Sequence, residues 1–173
     1  MKNTFLLLVI LMTFSQLFSQ EDNRRILDEK SGKEMLIGTA TRDGLVGMGD
    51  WFAEEYSQYK PDSLILDGIK KYSNDFPFLF IVMGTWCSDS REQVPHMFKM
   101  LDQLNYPEDH IFMVAVNREK KADTFCIADY DILLVPTFIF TKDGDETGRI
   151  VETPVTTIEQ DMLNILNGNS VSN

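Results

Sequence analysis

Phe78-Leu79-Phe80-Ile81-Val82-Met83 is a run of six apolar residues set off by Pro77 before it and by Gly84 and Thr85 after it. A run of that length without a polar member predicts a strand buried on both faces. Ile111 to Val116 repeats the pattern. Between the two, from Ser88 onward, Val94, Met97, Phe98, Leu101 and Leu104 recur at helical spacing. Pro95 lies within that helix and is expected to kink it, because its nitrogen has no proton to donate. Two apolar strands joined by a long helix pair most naturally in parallel, through a right-handed crossover. Downstream, the pattern predicts a short helix over Asp123 to Tyr130, a strand over Val135 to Phe140, a turn at Lys142 to Asp145, a return strand over Arg149 to Val151 and an amphipathic helix over Thr157 to Leu166. Upstream, Met35 to Thr41 reads as a first strand. Asp50 is placed to cap a helix carrying Trp51, Phe52 and Tyr56, and Pro61 to open another with Leu64, Ile65 and Ile69 inside.

The expected architecture is α/β, a central mixed sheet built from a βαβ unit and then a ββα unit, with an N-terminal helical extension. A chain of 173 residues supports one such core. Residues 1–19 read as a signal peptide: Lys2, an apolar run from Phe5 to Phe14, then the small residue Ser19. That run is shorter than the roughly 20 residues a membrane-spanning helix requires. The expectation is an exported protein, periplasmic or extracellular, with no stable membrane insertion after signal cleavage. Residues 20–34 are charged and aperiodic and read as a flexible lead-in, 35–75 as the extension, 76–166 as the core and 167–173 as a frayed tail.

With 27 acidic and 16 basic side chains, the formal net charge is −11. Nucleic acid and anionic membranes are disfavoured as partners. Two cysteines, Cys87 and Cys126, are too few for a disulfide scaffold. His96 and His110 lack metal-ligand spacing, and Asp143-Gly144-Asp145 reads as a hairpin turn, so neither a metal nor a cofactor is expected.

Three features occur together: Trp86-Cys87 after a buried strand, Pro95 eight residues beyond Cys87, and Val135-Pro136-Thr137 at the start of a later strand. In this combination residues 76–166 resemble the thioredoxin family, and Gly84 to Asp102 is similar to an exported single-cysteine subgroup with a Trp-Cys-x-Asp-Ser loop. The resemblance implies a thioredoxin fold, a cis Val135–Pro136 bond facing Cys87, and a substrate groove formed by Trp86, Val135 and Pro136. It also marks two departures. Ser90 stands where dithiol members carry the resolving cysteine, and Ile81 where they bury the acid that deprotonates it. With no resolving thiol, a buried carboxylate there would only carry a desolvation cost.

Cys87 falls at the first turn of a helix, where unpaired backbone N–H groups and the helix dipole favour a negative sulfur. Asp89 opposes this and Arg91 offsets it. Ser90 is able to donate a hydrogen bond to the Cys87 sulfur, and Cys126, flanked by Phe125 and Ile127, is either a small buried hydrophobe or a resolving thiol. The expected function is monothiol thiol-disulfide exchange in cell-envelope redox homeostasis, with Cys87 as nucleophile, Ser90 beside it, and protein or low-molecular-weight thiols and disulfides as partners. The alternatives are a non-enzymatic peptide- or protein-binding module that uses the same groove, and a peroxide-reactive protein in which Cys126 condenses with oxidised Cys87.

Overall fold

The computed structural model describes residues 22–122 and 125–171. The expected signal peptide, residues 1–19, lies outside the described residues. Among the described residues seven strands are seen: β1 (Arg25–Asp28), β2 (Lys33–Leu36), β3 (Gly38–Thr39), β4 (Phe78–Met83), β5 (Ile111–Ala115), β6 (Thr137–Lys142) and β7 (Asp145–Val151). Five α-helices accompany them: α1 (Arg42–Val46), α2 (Trp51–Gln58), α3 (Ser63–Ile69), α4 (Ser88–Leu104) and α5 (Ile158–Leu166).

The apolar run at β4 becomes the middle of a five-stranded mixed sheet of order β3-β5-β4-β6-β7. β5 pairs with it in parallel across the α4 crossover, and β6 pairs antiparallel on its other side. Side chains alternate across β4, so it feeds two cores. Leu79, Ile81 and Met83 join Met113, Ala115, Phe138 and Phe140 under the helices. Phe80 and Val82 join Val114, Val116 and Ile139 on the opposite face. The α helices pack against the first core, α2 beside α4 and α3 beside α5. This mixed α/β arrangement is compatible with a thioredoxin-like fold.

The opposite face is covered differently from expectation. No α-helix spans the described residues between 117 and 135. The expected helix over Asp123 to Tyr130 is replaced by a bridge between Ala122 and Phe125 and a 3-10 turn at Ala128–Tyr130, with residues 123 and 124 outside the described residues. What holds this segment is aromatic: Phe125 and Tyr130 lie 5.7 and 4.8 Å from the Phe80 ring centre.

Three further expectations are corrected. The stretch read as a flexible lead-in contains a β-hairpin, β1 against β2, in register from Arg25–Leu36 to Asp28–Lys33. Its turn closes with Ser31 and Gly32 donating to the Asp28 carbonyl, and Gly32 takes the positive φ of 68° that the turn needs. The strand expected over Met35 to Thr41 is split in two at Ile37, with Gly38 opening β3 at a φ of +81°. In α3, Leu64 is 81% exposed and the inward position belongs to Leu66, at 3%. The helix starts at Ser63, capped by Asp62 rather than opened by Pro61, and this phase turns Leu66 and Ile69 inward. α4 runs unbroken through Pro95 and ends at Asn105, which is left-handed with φ of 52°.

The phase of α3 is directly checkable. Leu66→Ala lowers unfolding free energy by about 2–5 kcal/mol, whereas Leu64→Ala changes it by less than about 0.5 kcal/mol. Denaturant titration of the two variants reads both values.

Candidate functional site

The carboxyl end of β4 leads through Gly84 and Thr85 into Trp86 and Cys87. The Cys87 amide donates to the Gly84 carbonyl at 2.9 Å, and the Cys87 carbonyl accepts from the Arg91 amide at 3.1 Å, so the thiol residue is the N-cap of α4. Its side chain makes no cap bond, which leaves the sulfur free to face outward from the helix end. Cys87 is half-buried. Its sulfur lies 3.2 Å from the Val135 carbonyl oxygen and 3.6 Å from Asp89 Oδ2, two acceptors within reach of the single thiol proton. The peptide bond between Val135 and Pro136 is cis. Strand β6 starts one residue later; Pro136 has no amide proton to give, and its carbonyl accepts from the Glu152 amide at 2.7 Å.

Trp86 is fixed from three sides. Its indole Nε1 donates to the Val116 carbonyl at 2.7 Å, at the end of β5. Its ring lies so close over Gly84 that a Cβ there would stand 2.7 Å from Cε2 and Nε1. Its other contact is a cation: the Arg118 guanidinium carbon lies 4.9 Å from the ring centre. Arg118 in turn is held by Asp28 of β1, through Nε and Nη2, each at 2.8 Å. Asp28 is 2% exposed and also accepts from Ser31 Oγ and the Lys30 amide. These donors, Arg118 foremost, hold its carboxyl far below the usual carboxylate range. A second tie joins the hairpin to the loop, since the Leu36 amide donates to Thr85 Oγ1 at 3.1 Å.

The structure brings together Trp86, Cys87, Val135 and Pro136 of the residues expected at the site. Ser90 is placed differently. It is fully buried, and its Oγ accepts from the Gly84 amide at 3.1 Å, bracing the loop under the cysteine rather than bonding the sulfur. Cys126 is exposed, not buried as a small hydrophobe; both cysteines are free thiols. It lies on the wall of a groove of about 650 Å³ between Ile26 and Ile37 on one side and Phe125, Ile132 and Leu133 on the other. Cys87 is not among the residues that line it. Arg91 also departs from expectation: its Nε donates to the Thr85 carbonyl at 2.6 Å and its guanidinium lies 5.8 Å from the Trp51 ring centre. Arg118 and Asp28 were not expected from the sequence. His96 stacks on Tyr59 at 4.2 Å and pairs with Glu55. Among the described residues no group of three or more His, Cys, Asp or Glu side chains is arranged to hold a metal ion, and no helix is long and apolar enough to cross a membrane.

No family model matches the chain. Over 93 residues it is 28% identical to the mitochondrial thioredoxin O of Oryza sativa subsp. japonica, covering 54% of this chain and 51% of that protein. The chain therefore spans about half the length of that relative, and the match supports a thioredoxin-like relationship. Two solved structures share the fold. One is a protein of unknown function from Pseudomonas aeruginosa, with a TM-score of 0.56 at 14% identity over 76% of this chain and 93% of that one. The other is an HIV epitope-scaffold, with a TM-score of 0.53 at 14% identity and the same two coverages.

Two outcomes follow from this geometry. Gly84→Ala pushes the indole off its seat, costing about 1–3 kcal/mol of stability; in a Trp51→Phe background, the emission of Trp86 shifts as its bond to Val116 is lost. Asp28 is favoured as carboxylate in the folded chain, so its contribution is whole above the unfolded aspartate value of about 3.9 and is lost as pH falls below it. Asp28→Asn accordingly lowers stability at neutral pH and flattens the acid limb of a pH–stability curve.

Proposed function

We propose that the protein is a thioredoxin-like monothiol exchanger of the thioredoxin fold, acting in the cell envelope after export, with Cys87 as its nucleophile. The observation that carries this reading is the seat of Cys87: a thiol at the open N-terminus of α4, half-buried, with its sulfur 3.2 Å from the carbonyl of Val135 in the cis Val135–Pro136 pair. A helix N-terminus favours negative charge on that sulfur, and the Trp86, Val135 and Pro136 surface supplies a wall against which a substrate disulfide is laid.

In the exchange the Cys87 thiol loses its proton to solvent and the thiolate attacks one sulfur of a disulfide. A Cys87–partner S–S bond forms, the original S–S bond breaks and the other half leaves as thiolate. No second thiol stands at position 90, and Ser90 Oγ is committed to the Gly84 amide. An external thiolate therefore completes the cycle by attacking the partner sulfur of the mixed disulfide and releasing Cys87. Leu134, 42% exposed immediately before Val135, favours a second reading in which the same wall binds an apolar protein segment without chemistry.

Incubating the full chain with hydroxyethyl disulfide and mapping adducts by mass spectrometry separates the two. Thiol exchange predicts a mixed disulfide on Cys87 that an added thiol removes, formed faster than on exposed Cys126 and retained in Cys126→Ser. If Cys87 reacts no faster than Cys126, the exchange reading fails and the binding module stands.

A further inference from the structure

The charges that surround the Cys87 sulfur are unevenly distributed. Its two hydrogen-bond partners, the Asp89 carboxylate at 3.6 Å and the Val135 carbonyl at 3.2 Å, are both electron-rich. Arg91, four residues along α4, is spent on the Thr85 carbonyl and the face of Trp51. A second cation, Arg118, is delivered from beyond the end of β5 onto the ring of Trp86, the residue next to Cys87. Arg118 and Cys87 also interact electrostatically, with a negative sulfur favouring the charged guanidinium.

The manner in which Arg118 is held leaves one edge of it available. Nε and Nη2 are taken by the two oxygens of Asp28, and Nη1 has no partner among the described residues. The Asp28 side chain is 3% exposed and that of Arg118 is 32% exposed, so the pair buries its anion and shows part of its cation. Such a pair is weak evidence of a role in stability alone, since apolar residues of similar size often serve a buried position as well. It is well suited to recognition, because a planar guanidinium pinned at one edge and stacked on an aromatic ring offers its remaining donors in a fixed direction. A carboxylate is the group that matches two parallel N–H donors. The chain as a whole carries a net charge of −11, a field that penalises an acidic polypeptide of many charges more than an anion of one or two.

We propose that Arg118, pinned over Trp86 by Asp28, is a specificity-determining residue that receives a carboxylate carried a few bonds from the sulfur of a low-molecular-weight disulfide, so that Cys87 exchanges preferentially with small anionic disulfides. The proposal rests on the exchange reading of Cys87 and adds its substrate class. The exchange itself balances as before: one S–S bond breaks, a mixed disulfide on Cys87 forms, and a carboxylate-bearing thiolate leaves. It also assigns the N-terminal hairpin to the site, because Asp28 lies on β1 and is the residue that holds Nε and Nη2.

The test uses three disulfides of matched length and differing charge: dithiodipropionate, hydroxyethyl disulfide and cystamine. Second-order rates at Cys87 are measured in the Cys126→Ser chain at physiological ionic strength. Arg118→Gln is expected to lower the rate with dithiodipropionate relative to hydroxyethyl disulfide by roughly tenfold, the value of one charge-assisted pair, and to raise the relative rate with cystamine. Arg118→Lys keeps the charge but not the fork, and retains part of the preference. Because removing Arg118 alone strands a buried carboxylate, the double variant Asp28→Asn/Arg118→Gln serves as the folded control and is expected to lose the preference as fully. Equal slowing with all three reagents in both variants overturns the proposal, since Arg118 then only steadies Trp86. An unreactive Cys87 with every reagent in the unaltered Arg118 chain rejects the exchange reading itself, a result that is separate from any effect of Arg118.

Discussion

Strand β4 is apolar on both faces, and this constraint organises the molecule. Leu79, Ile81 and Met83 require cover on one side, Phe80 and Val82 on the other, so the strand is stable only in the middle of a sheet with both faces sealed. α2, α3, α4 and α5 seal the first face. The second is closed by an irregular segment held through aromatic contacts to Phe80 rather than by a helix. The same constraint fixes where chemistry can occur. A strand with no polar side chain of its own presents reactive groups only at its end, where Gly84 allows the chain to turn beneath Trp86 and set Cys87 at the start of α4.

The loop at that end is unusually well supported for a segment outside regular structure. Its backbone is braced from below by Ser90, from the β2 side by the bond between Leu36 and Thr85, and from above by Trp86 lodged on Val116 and Arg118. Each brace comes from a different part of the chain, so the position of the sulfur is a property of the whole assembly. Ile81, where the resembling dithiol family buries an acid, is fully enclosed among apolar side chains, consistent with a site whose polar groups lie around the sulfur rather than beneath it.

The sheet centre, α4 and the cysteine loop were readable in the sequence because their patterns are local and strong: two continuous apolar runs and a helical period between them. What was not readable depends on distant partners. The hairpin at Arg25 to Leu36 buries few side chains and exposes charges along both strands, so its sequence has the composition of a linker while its stability comes from Asp28 and Leu36 docking elsewhere. Arg118 gains its meaning from a residue ninety positions earlier. Ser90 was assigned to the nearest interesting atom, the Cys87 sulfur, whereas the buried Gly84 amide had the stronger claim on an enclosed hydroxyl. In the segment before β6, where a short helix over Asp123 to Tyr130 is expected, Phe125 and Tyr130 are instead satisfied along an irregular path by contact with the Phe80 ring.

The ninety-residue span between Asp28 and Arg118 bears on the order in which the molecule is completed. Cys87 lies between them in the chain, so during synthesis or passage through a narrow exit the sulfur is present before the guanidinium that will stand over Trp86 has appeared. A contact of such separation closes a long loop and carries the entropic cost of doing so. The thiol thus begins the life of every chain without the cation that stands over Trp86 in the folded molecule.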